Sequence, residues 1–266
     1  MATPCEALQF PSEKRSTPIP PAGKDKAPAL SVALAGTQAE VRQCQRLRYR
    51  IFADEMGAAL DTTIPGVDQD GFDPLSRHLL VRDGRSGEIV GTTRLLIDSN
   101  PDYGARYYSE TEFDMQNVLE LPGRLMEVGR TCIHPDYRSG STIAVLWQGI
   151  ARMMVLHDVD YLIGCASIPL DDGGANAAAV MERLREKYYA APHLRVYPQR
   201  DPPEPVTDAV GPLRIPSLLK AYLRLGAVIC GEPYWDAQFN VADVFVLMDR
   251  DRIDRRYARH FVQKQD

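Results

Sequence analysis

Apolar residues recur along the chain with two different periods, which predicts alternating strands and helices. The longest helical pattern has apolar residues three and four positions apart, at Ile143, Leu146, Trp147, Ile150, Met153 and Met154. Directly before it, residues 125–133 form a short apolar run that Pro135 ends, which predicts a buried strand. This strand, turn and helix form the centre of the predicted fold.

The remaining elements follow the same two periods. Strands are predicted at residues 30–35, 78–82, 88–97, 161–168, 227–230 and 241–248. Helices are predicted at residues 37–52 with Thr37 as N-cap, at 111–118 with Ser109 or Thr111 as cap, and at 175–188 and 217–225. This order predicts an α/β fold with a central mixed, twisted sheet and helices on both faces.

Composition divides the 266 residues into a large central region and two tails. Residues 1–29 are rich in Pro, Lys, Ser and Ala and contain few large apolar side chains, which is typical of a disordered segment. Residues 30–250 carry the periodic apolar pattern and are long enough for one large folded domain. Residues 251–266 form a charged C-terminal tail.

The composition argues against several classes of protein. A net charge of −5 without a dense basic run argues against nucleic-acid binding. No apolar run reaches the roughly 20 residues that span a bilayer, and no signal-type stretch is found, so we expect a cytoplasmic protein. The five cysteines are scattered and the five histidines lack metal-ligand spacing, so we expect no disulfide framework, no metal and no cofactor.

Charged residues interrupt two of the predicted strands. Glu127 and Arg130 lie within the central strand, where a charge is costly unless it is paired or used. Because strand side chains alternate, the two should face opposite ways unless a bulge at Gly129 re-aims one of them. A Glu–Arg pair that only braces the sheet is the alternative to a functional pair. Arg94, in strand 88–97, is either an edge residue or a ligand-binding residue.

The turn after the central strand is small and polar, and it carries Arg138, Ser139, Gly140, Ser141 and Thr142. At the start of a helix, free backbone N–H groups and the positive end of the helix dipole attract an anion. The turn is therefore predicted to bind a phosphate.

Two further groups of charged residues have more than one interpretation. Asp68, Asp70 and Asp73 lie close together in a loop and suggest calcium, but the twelve-residue calcium loop with its closing Glu is missing. The arginines of helix 37–52 form either a solvated basic face or a docking surface, and they are Arg42, Arg46, Arg48 and Arg50.

The predicted elements follow the order of the GNAT acyltransferase fold, and several segments resemble two families within it. LRYRIF (47–52), DGFDPLSRHLLV (70–81), VGTTRLL (90–96) and EVGRTCIHPDYR (127–138) resemble both acyl-homoserine-lactone synthases and ornithine-lipid N-acyltransferases. YYSETEFDM (107–115) and IGCASIP (163–169) make the second resemblance the closer one.

The second resemblance implies transfer of a 3-hydroxyacyl chain from acyl carrier protein to the α-amine of L-ornithine, giving lyso-ornithine lipid. It implies that Glu127 and Arg130 are catalytic, with Glu127 as the base that deprotonates the amine. It implies substrate-binding roles for Arg48, Phe52, Asp70, Asp73 and Arg94. Asp70 and Asp73 would either bind the substrate's ammonium groups or brace Arg94 and Arg130.

The polar turn at 138–142 would hold the phosphate of the carrier's phosphopantetheine. It lacks most of the basic and glycine residues of the usual acetyl-CoA loop of this fold, so a carrier protein is favoured over CoA as acyl donor.

Alternatives remain open at two points. The chain could instead resemble a homoserine-lactone synthase or another N-acyl amino acid synthase in its acceptor, or be a catalytically silent acyl-carrier or lipid-binding module. Helix 217–225 is amphipathic; ordinary packing is favoured, and peripheral contact with the inner face of the membrane is the alternative.

Overall fold

A computed structural model describes residues 30–97, 107–138, 140–206 and 212–252. The predicted N-terminal tail lies outside the described residues, as does the C-terminal tail beyond residue 252. Within the described part of the chain, no helix is long and apolar enough to cross a bilayer.

Eight strands form one sheet, and they are β1 (Leu30–Leu34), β2 (Arg77–Asp83), β3 (Ile89–Ile97), β5 (Leu125–Ile133), β6 (Tyr161–Pro169), β8 (Val228–Ile229), β9 (Tyr234–Asp236) and β10 (Val241–Asp249). Their order is β1-β2-β3-β5-β6-β10-β8, and β9 also pairs with β10. The pairing of β5 with β6 is parallel and the other pairings are antiparallel, which confirms the predicted mixed sheet. A small second sheet pairs β4 (Phe113–Asp114) with β7 (Tyr197–Pro198).

Helices cover both faces of the large sheet, as predicted. They are α1 (Gln38–Tyr49), α2 (Gln116–Leu119), α3 (Gly140–Leu156), α4 (Ala175–Lys187) and α5 (Ser217–Arg224). The buried side chains of α3, α4 and α5 share one core cluster with Leu79 and Val81 of β2. Those of α1 pack with Leu80, which points to the opposite face because strand side chains alternate.

Two predicted helices are confirmed in detail. Thr37 caps α1, because its side-chain oxygen accepts the N–H of Glu40 at 3.2 Å. Helix α5 buries Leu219 and Tyr222, and the Tyr222 ring packs edge-on against Trp147 with 5.3 Å between centroids. The apolar face of α5 is therefore used inside the protein, as ordinary packing predicts.

The segment before the central strand differs from the helix predicted at residues 111–118. A 3₁₀ turn at Tyr108–Thr111 leads into β4 and then into the short α2. Strand β4 forms because its partner β7 lies far away in sequence. Ser109 does not cap a helix, because it lies inside the 3₁₀ turn, where its N–H is held by the carboxylate of Glu127 on the neighbouring sheet. Tertiary partners thus override the local helical pattern.

A bulge in β5 decides where its charged residues point. The register with β3 shifts between Thr92 and Arg94, so that Arg130 and Thr131 of β5 oppose one residue of β3. Arg130 has a φ of 51°, in the left-handed region. The extra residue reverses the alternation, which turns Arg130 to the face that also carries Glu127. The sequence did not decide whether β5 has a bulge. The bulge exists, and the residue that forms it is Arg130 rather than Gly129 before it.

The parallel strands β5 and β6 separate soon after they meet. Their pairing covers three positions and ends at Glu127 opposite Ile163. The carbonyl oxygen of Val128 then approaches Gly164 so closely that a Cβ there would lie 2.3 Å from it. Beyond this point residues 128–133 line a cavity of about 680 Å³.

Candidate active site

The cavity beside the separating strands brings together six of the residues predicted from the sequence, and they are Phe52, Arg94, Glu127, Arg130, Arg138 and Gly140. Apolar side chains complete much of the wall, including Ile51, Met56, Ile143, Leu218 and Phe239. A concave site of several hundred Å³ with an apolar wall and a few convergent polar groups is typical of a small-molecule site. Five predicted residues are not part of the lining, and they are Arg48, Asp70, Asp73, Ser141 and Thr142.

Glu127 is buried and is held by the 3₁₀ turn above it. Its Oε2 accepts the N–H of Tyr108 at 2.6 Å, and its Oε1 accepts both the N–H of Ser109 at 2.8 Å and the Ser109 hydroxyl. Burial raises the pKa of the Glu127 carboxyl above its ordinary value, although these hydrogen bonds and the charge of Arg94 oppose the rise. A carboxylate has about four acceptor positions, so roughly one remains for a ligand.

Glu127 and Arg130 do not form an ion pair with each other within the described residues. The guanidinium of Arg130 lies over the rings of Tyr108 and Phe239, at 5.2 and 5.0 Å from their centroids. Its Nη2 donates to Asp70 at 3.4 Å, and its Nε lies 3.7 Å from Asp68 without making a hydrogen bond. Arg130 therefore keeps unused donor capacity, and the alternative of a Glu–Arg brace is wrong.

The three loop aspartates bind arginines. Arg48 is 1% exposed, and its Nε donates to Asp68 at 2.7 Å while its Nη2 donates to Asp73 at 3.0 Å. Although burial opposes it, the charge and hydrogen bonds of Arg48 hold the pKa of Asp73 well below its ordinary value. Arg48 thus lies inside the protein and does not belong to a basic face of α1.

Arg94 belongs to the same buried network. It is 2% exposed on β3, which lies between β2 and β5, so the interpretation as an edge residue is wrong. Its Nη1 lies 2.5 Å from Asp70 and 3.5 Å from Asp73. Asp70 and Asp73 thus contact Arg94, and Asp70 also contacts Arg130, whereas binding of the substrate's ammonium groups by these aspartates stays a prediction.

The polar turn lies at the other end of the cavity. Gly140 begins α3 and lines the cavity, whereas Ser139 lies outside the described residues. Arg138 makes a two-pronged ion pair with Glu55, at 2.6 and 2.8 Å. The side chain of Thr142 is buried and packs toward Gly91, which leaves only its backbone for a ligand in the turn. Ser141 is exposed.

A group of carboxylates that the sequence analysis did not select also lines the cavity. One oxygen each of Glu112, Asp236 and Asp243 lies within 4.8 Å of the others, and all three residues are buried. Burial and then the neighbouring Asp243 raise the pKa of Glu112 well above its ordinary value. Burial also raises the pKa of Asp243 to about 6, against a hydrogen bond from Ser167 at 2.6 Å.

Two side chains, Ser109 and Cys165, lie between these carboxylates and Glu127. The Ser109 hydroxyl lies 3.5 Å from the Cys165 sulfur, and the Cys165 thiol donates to Glu112 at 3.3 Å. Burial and then the charge of Glu112 raise the pKa of this thiol well above its ordinary value, so it stays protonated and can donate.

One of the missed residues carried a readable signal. Asp243 is the one charge inside the apolar run 241–248, the same pattern that singled out Glu127. Glu112 lies between a 3₁₀ turn and the two-residue strand β4, and Asp236 ends the three-residue strand β9. Only the tertiary structure brings them beside Asp243.

Residues 47–148 match the family model described as "Acetyltransferase (GNAT) domain". An L-ornithine N(alpha)-acyltransferase of Brucella abortus (strain 2308) is 35% identical over 253 residues, which cover 88% of this chain and 89% of that protein. A protein of the same name from Agrobacterium fabrum (strain C58 / ATCC 33970) is 34% identical, over 87% of this chain and 85% of its own.

Solved structures share the fold at low sequence identity. A CoA-dependent acyl-homoserine lactone synthase, BjaI, with SAM and isopentyl-CoA, superposes with a TM-score of 0.53 at 15% identity, over 90% of this chain and 92% of that chain. These likenesses confirm the predicted acyltransferase fold.

Proposed function

The chain belongs to the family of L-ornithine N(alpha)-acyltransferases, and on that premise we propose that it moves a 3-hydroxyacyl chain from acyl carrier protein to the α-amine of L-ornithine. The product is lyso-ornithine lipid, an amide with one acyl chain. The observation that carries the proposal is the position of Glu127. This buried carboxylate has a raised pKa, and it lines the cavity at the point where β5 and β6 separate.

The reaction needs a base, because the α-amine of an amino acid is cationic near neutrality and cannot attack while protonated. Glu127 suits this role, since its raised pKa favours proton uptake and roughly one acceptor position remains for the substrate. The neutral amine then attacks the thioester carbonyl and the C–N bond forms. The tetrahedral intermediate collapses, the C–S bond breaks, and the pantetheine thiolate leaves and takes up the second proton, which the attacking nitrogen gives up as the amide forms. Glu127 returns the first proton to solvent.

Arg130 is the residue that we propose binds the substrate's carboxylate. It lines the cavity on the same face as Glu127, and its ion pairs with Asp68 and Asp70 are long. A guanidinium with unused donors suits two-pronged binding of a carboxylate. Bound there, an amino acid presents its α-amine toward Glu127, while Phe52 and Arg94 form the adjoining wall.

The acyl donor enters at the other end of the cavity. The N-terminus of α3 at Gly140 offers free backbone N–H groups for the pantetheine phosphate. Arg138 contributes there only if its ion pair with Glu55 opens. A phosphate site with so few basic groups favours a protein-borne pantetheine, whose carrier adds its own contacts, over free CoA.

The test is an assay of the purified protein with 3-hydroxyacyl carrier protein and L-ornithine, read by mass spectrometry of the product and by kcat/KM. We expect the α-N-acyl amide, and a kcat/KM for the carrier well above that for the matching acyl-CoA. Equal kcat/KM values for the two donors would overturn the donor assignment. Binding of acyl carrier protein without turnover of any amino acid would instead show a silent binding module.

A further inference from the structure

We propose that Glu112, Asp236 and Asp243 form a binding subsite for a second ammonium group of the acceptor, so that the enzyme selects amino acids with a cationic side chain. The proposal rests on the function proposed above, in which the amino acid binds with its α-amine at Glu127. It assigns the choice among amino acids to residues distinct from the base.

The first support is that each of the three carboxylates keeps an unused oxygen. Asp243 accepts from Ser167 through Oδ1 only, and Glu112 accepts from the Cys165 thiol through Oε2 only. Asp236 uses Oδ1 for the N–H groups of residues 238 and 239. The second oxygen of each receives no hydrogen bond from the described residues. All three side chains line the cavity although they are 3, 9 and 5% exposed, in sequence order.

The second support is the distribution of charge around the cavity. The arginines Arg48, Arg94 and Arg130 form ion pairs with three aspartates. Glu112, Asp236 and Asp243 form no ion pair within the described residues, although the charge of Arg130 acts on Asp243. Without a cation in contact, burial favours the protonated forms of Glu112 and Asp243, and a bound ammonium group would favour their charged forms.

The geometry suits a diamine. Three acceptors within 4.8 Å of one another can each take one N–H of a single ammonium group. Ser109 and Cys165 lie between Glu127 and Glu112, and all four residues line the same cavity. The two nitrogens of extended ornithine are about 6 Å apart by ordinary bond lengths, so one can lie at Glu127 and the other at this subsite.

The test compares acceptors that differ only at the side-chain end. L-Ornithine and 2-aminopentanoate have the same carbon chain, and the second lacks the terminal amine; 2,4-diaminobutyrate and lysine vary the length. For the wild-type enzyme we expect kcat/KM for ornithine to exceed that for 2-aminopentanoate by at least about 100-fold, because a site built for hydrogen bonds rejects an analogue that leaves its groups unpaired.

The double variant Glu112→Gln/Asp243→Asn removes two charges and keeps the side-chain shapes. We expect it to lower kcat/KM for ornithine by about 100-fold and to leave that for 2-aminopentanoate unchanged or higher, since an unfilled polar subsite is what rejects the analogue. The matched control is Asp114→Asn, an exposed carboxylate two residues from Glu112, which should leave the preference as in the wild type. Calorimetric binding of ornithine and 2-aminopentanoate to each protein gives a readout that does not depend on turnover.

The outcomes separate the subsite from the function. If the wild type acylates ornithine and the double variant keeps the wild-type preference, the subsite is overturned and the proposed function stands. If the wild type acylates no amino acid, the proposed function itself fails. If chelation of divalent metal abolishes activity and Ca²⁺ or Mg²⁺ restores it, the three carboxylates hold a metal and the ammonium subsite is overturned.

Discussion

Single residues in this fold show how the surroundings decide the role of one side-chain type. Asp73 is a carboxylate enclosed by arginines and has a lowered pKa, whereas Glu127 is enclosed by apolar groups and neutral donors and has a raised pKa. The first kind of carboxylate stays charged and structural. The second kind is suited to take up a proton near neutral pH.

We predict that Glu127→Gln lowers kcat by on the order of 10² to 10⁴, the usual worth of a general base. The wild type should lose activity as pH falls through the raised pKa of Glu127, because protonation removes the base. In the variant this acid limb should be absent, and raising the pH should partly restore activity by supplying neutral amine. The pH–rate profiles of both enzymes provide the measurement.

Thermal melting of the same variant separates catalysis from folding. The amide that replaces the carboxylate cannot accept at both former oxygen positions, so its NH₂ group opposes the N–H of Tyr108 or Ser109, and we expect a loss of about 1–3 kcal/mol in stability. The matched variant Ser109→Ala removes only the hydroxyl donor to Glu127. It should shift the acid limb to higher pH and retain turnover. A folded Glu127→Gln enzyme with the wild-type kcat would end the assignment of the base.

At the scale of elements, the active-site cavity depends on how β5 and β6 meet and separate. The strands pair over three positions, and the carbonyl of Val128 then touches Gly164. Packing this tight fixes the point of separation, while the bulge at Arg130 turns the following part of β5 along β3. Together they leave backbone of β5 without a partner strand on the side of β6, where it lines the cavity.

We predict that Gly164→Ala costs about 1–3 kcal/mol in the free energy of unfolding, the usual cost of overpacking, because the new methyl group must displace the backbone of Val128. Gly129→Ala is the matched control. It lies on the facing strand, where an added Cβ would have no atom within 4 Å. Denaturant unfolding of both variants measures the difference; an equal loss in the two would show that close approach is not what glycine provides at position 164.

At the scale of the whole molecule, the net charge of the protein bears on the proposed docking of an acyl carrier protein. The net charge is −5, so an acidic carrier protein must dock on a locally basic surface. Of the four arginines in helix α1 and just beyond it, Arg46 and Arg50 are exposed, Arg42 donates to Gln69, and Arg48 is buried. The docking surface can therefore include fewer arginines than the sequence pattern suggests.

We predict that the KM for acyl carrier protein rises with added salt, since screening weakens attraction between exposed charges. Arg46→Gln and Arg50→Gln should each raise this KM more than they lower kcat. Arg183→Gln provides the control, because Arg183 is an exposed arginine of α4, which packs on the other side of the sheet. A KM that does not depend on salt, or an equal effect of Arg183→Gln, would contradict docking at α1.

The sequence by itself predicted the elements in which the apolar pattern continues over many residues. It also pointed to the charged residues that interrupt an apolar strand. Strand β5, helix α3 and the cap at Thr37 are local features, because periodicity and capping act between residues a few positions apart. Glu127 and Arg130 stood out because charges are rare inside apolar strands. The separated motifs also carried the family resemblance, which the relatives confirm.

The tertiary structure alone decided the features that depend on partners far apart in the chain. Pairing of β4 with β7, and of Glu127 with the N–H groups of the turn, replaced a predicted helix with a 3₁₀ turn and a strand. The register with β3 placed the bulge at Arg130. Packing set Arg48 inside the protein and gathered three separate carboxylates beside the base. The periodicity of apolar residues carries no information on these pairings and contacts, because each of them depends on how distant strands and loops meet in space.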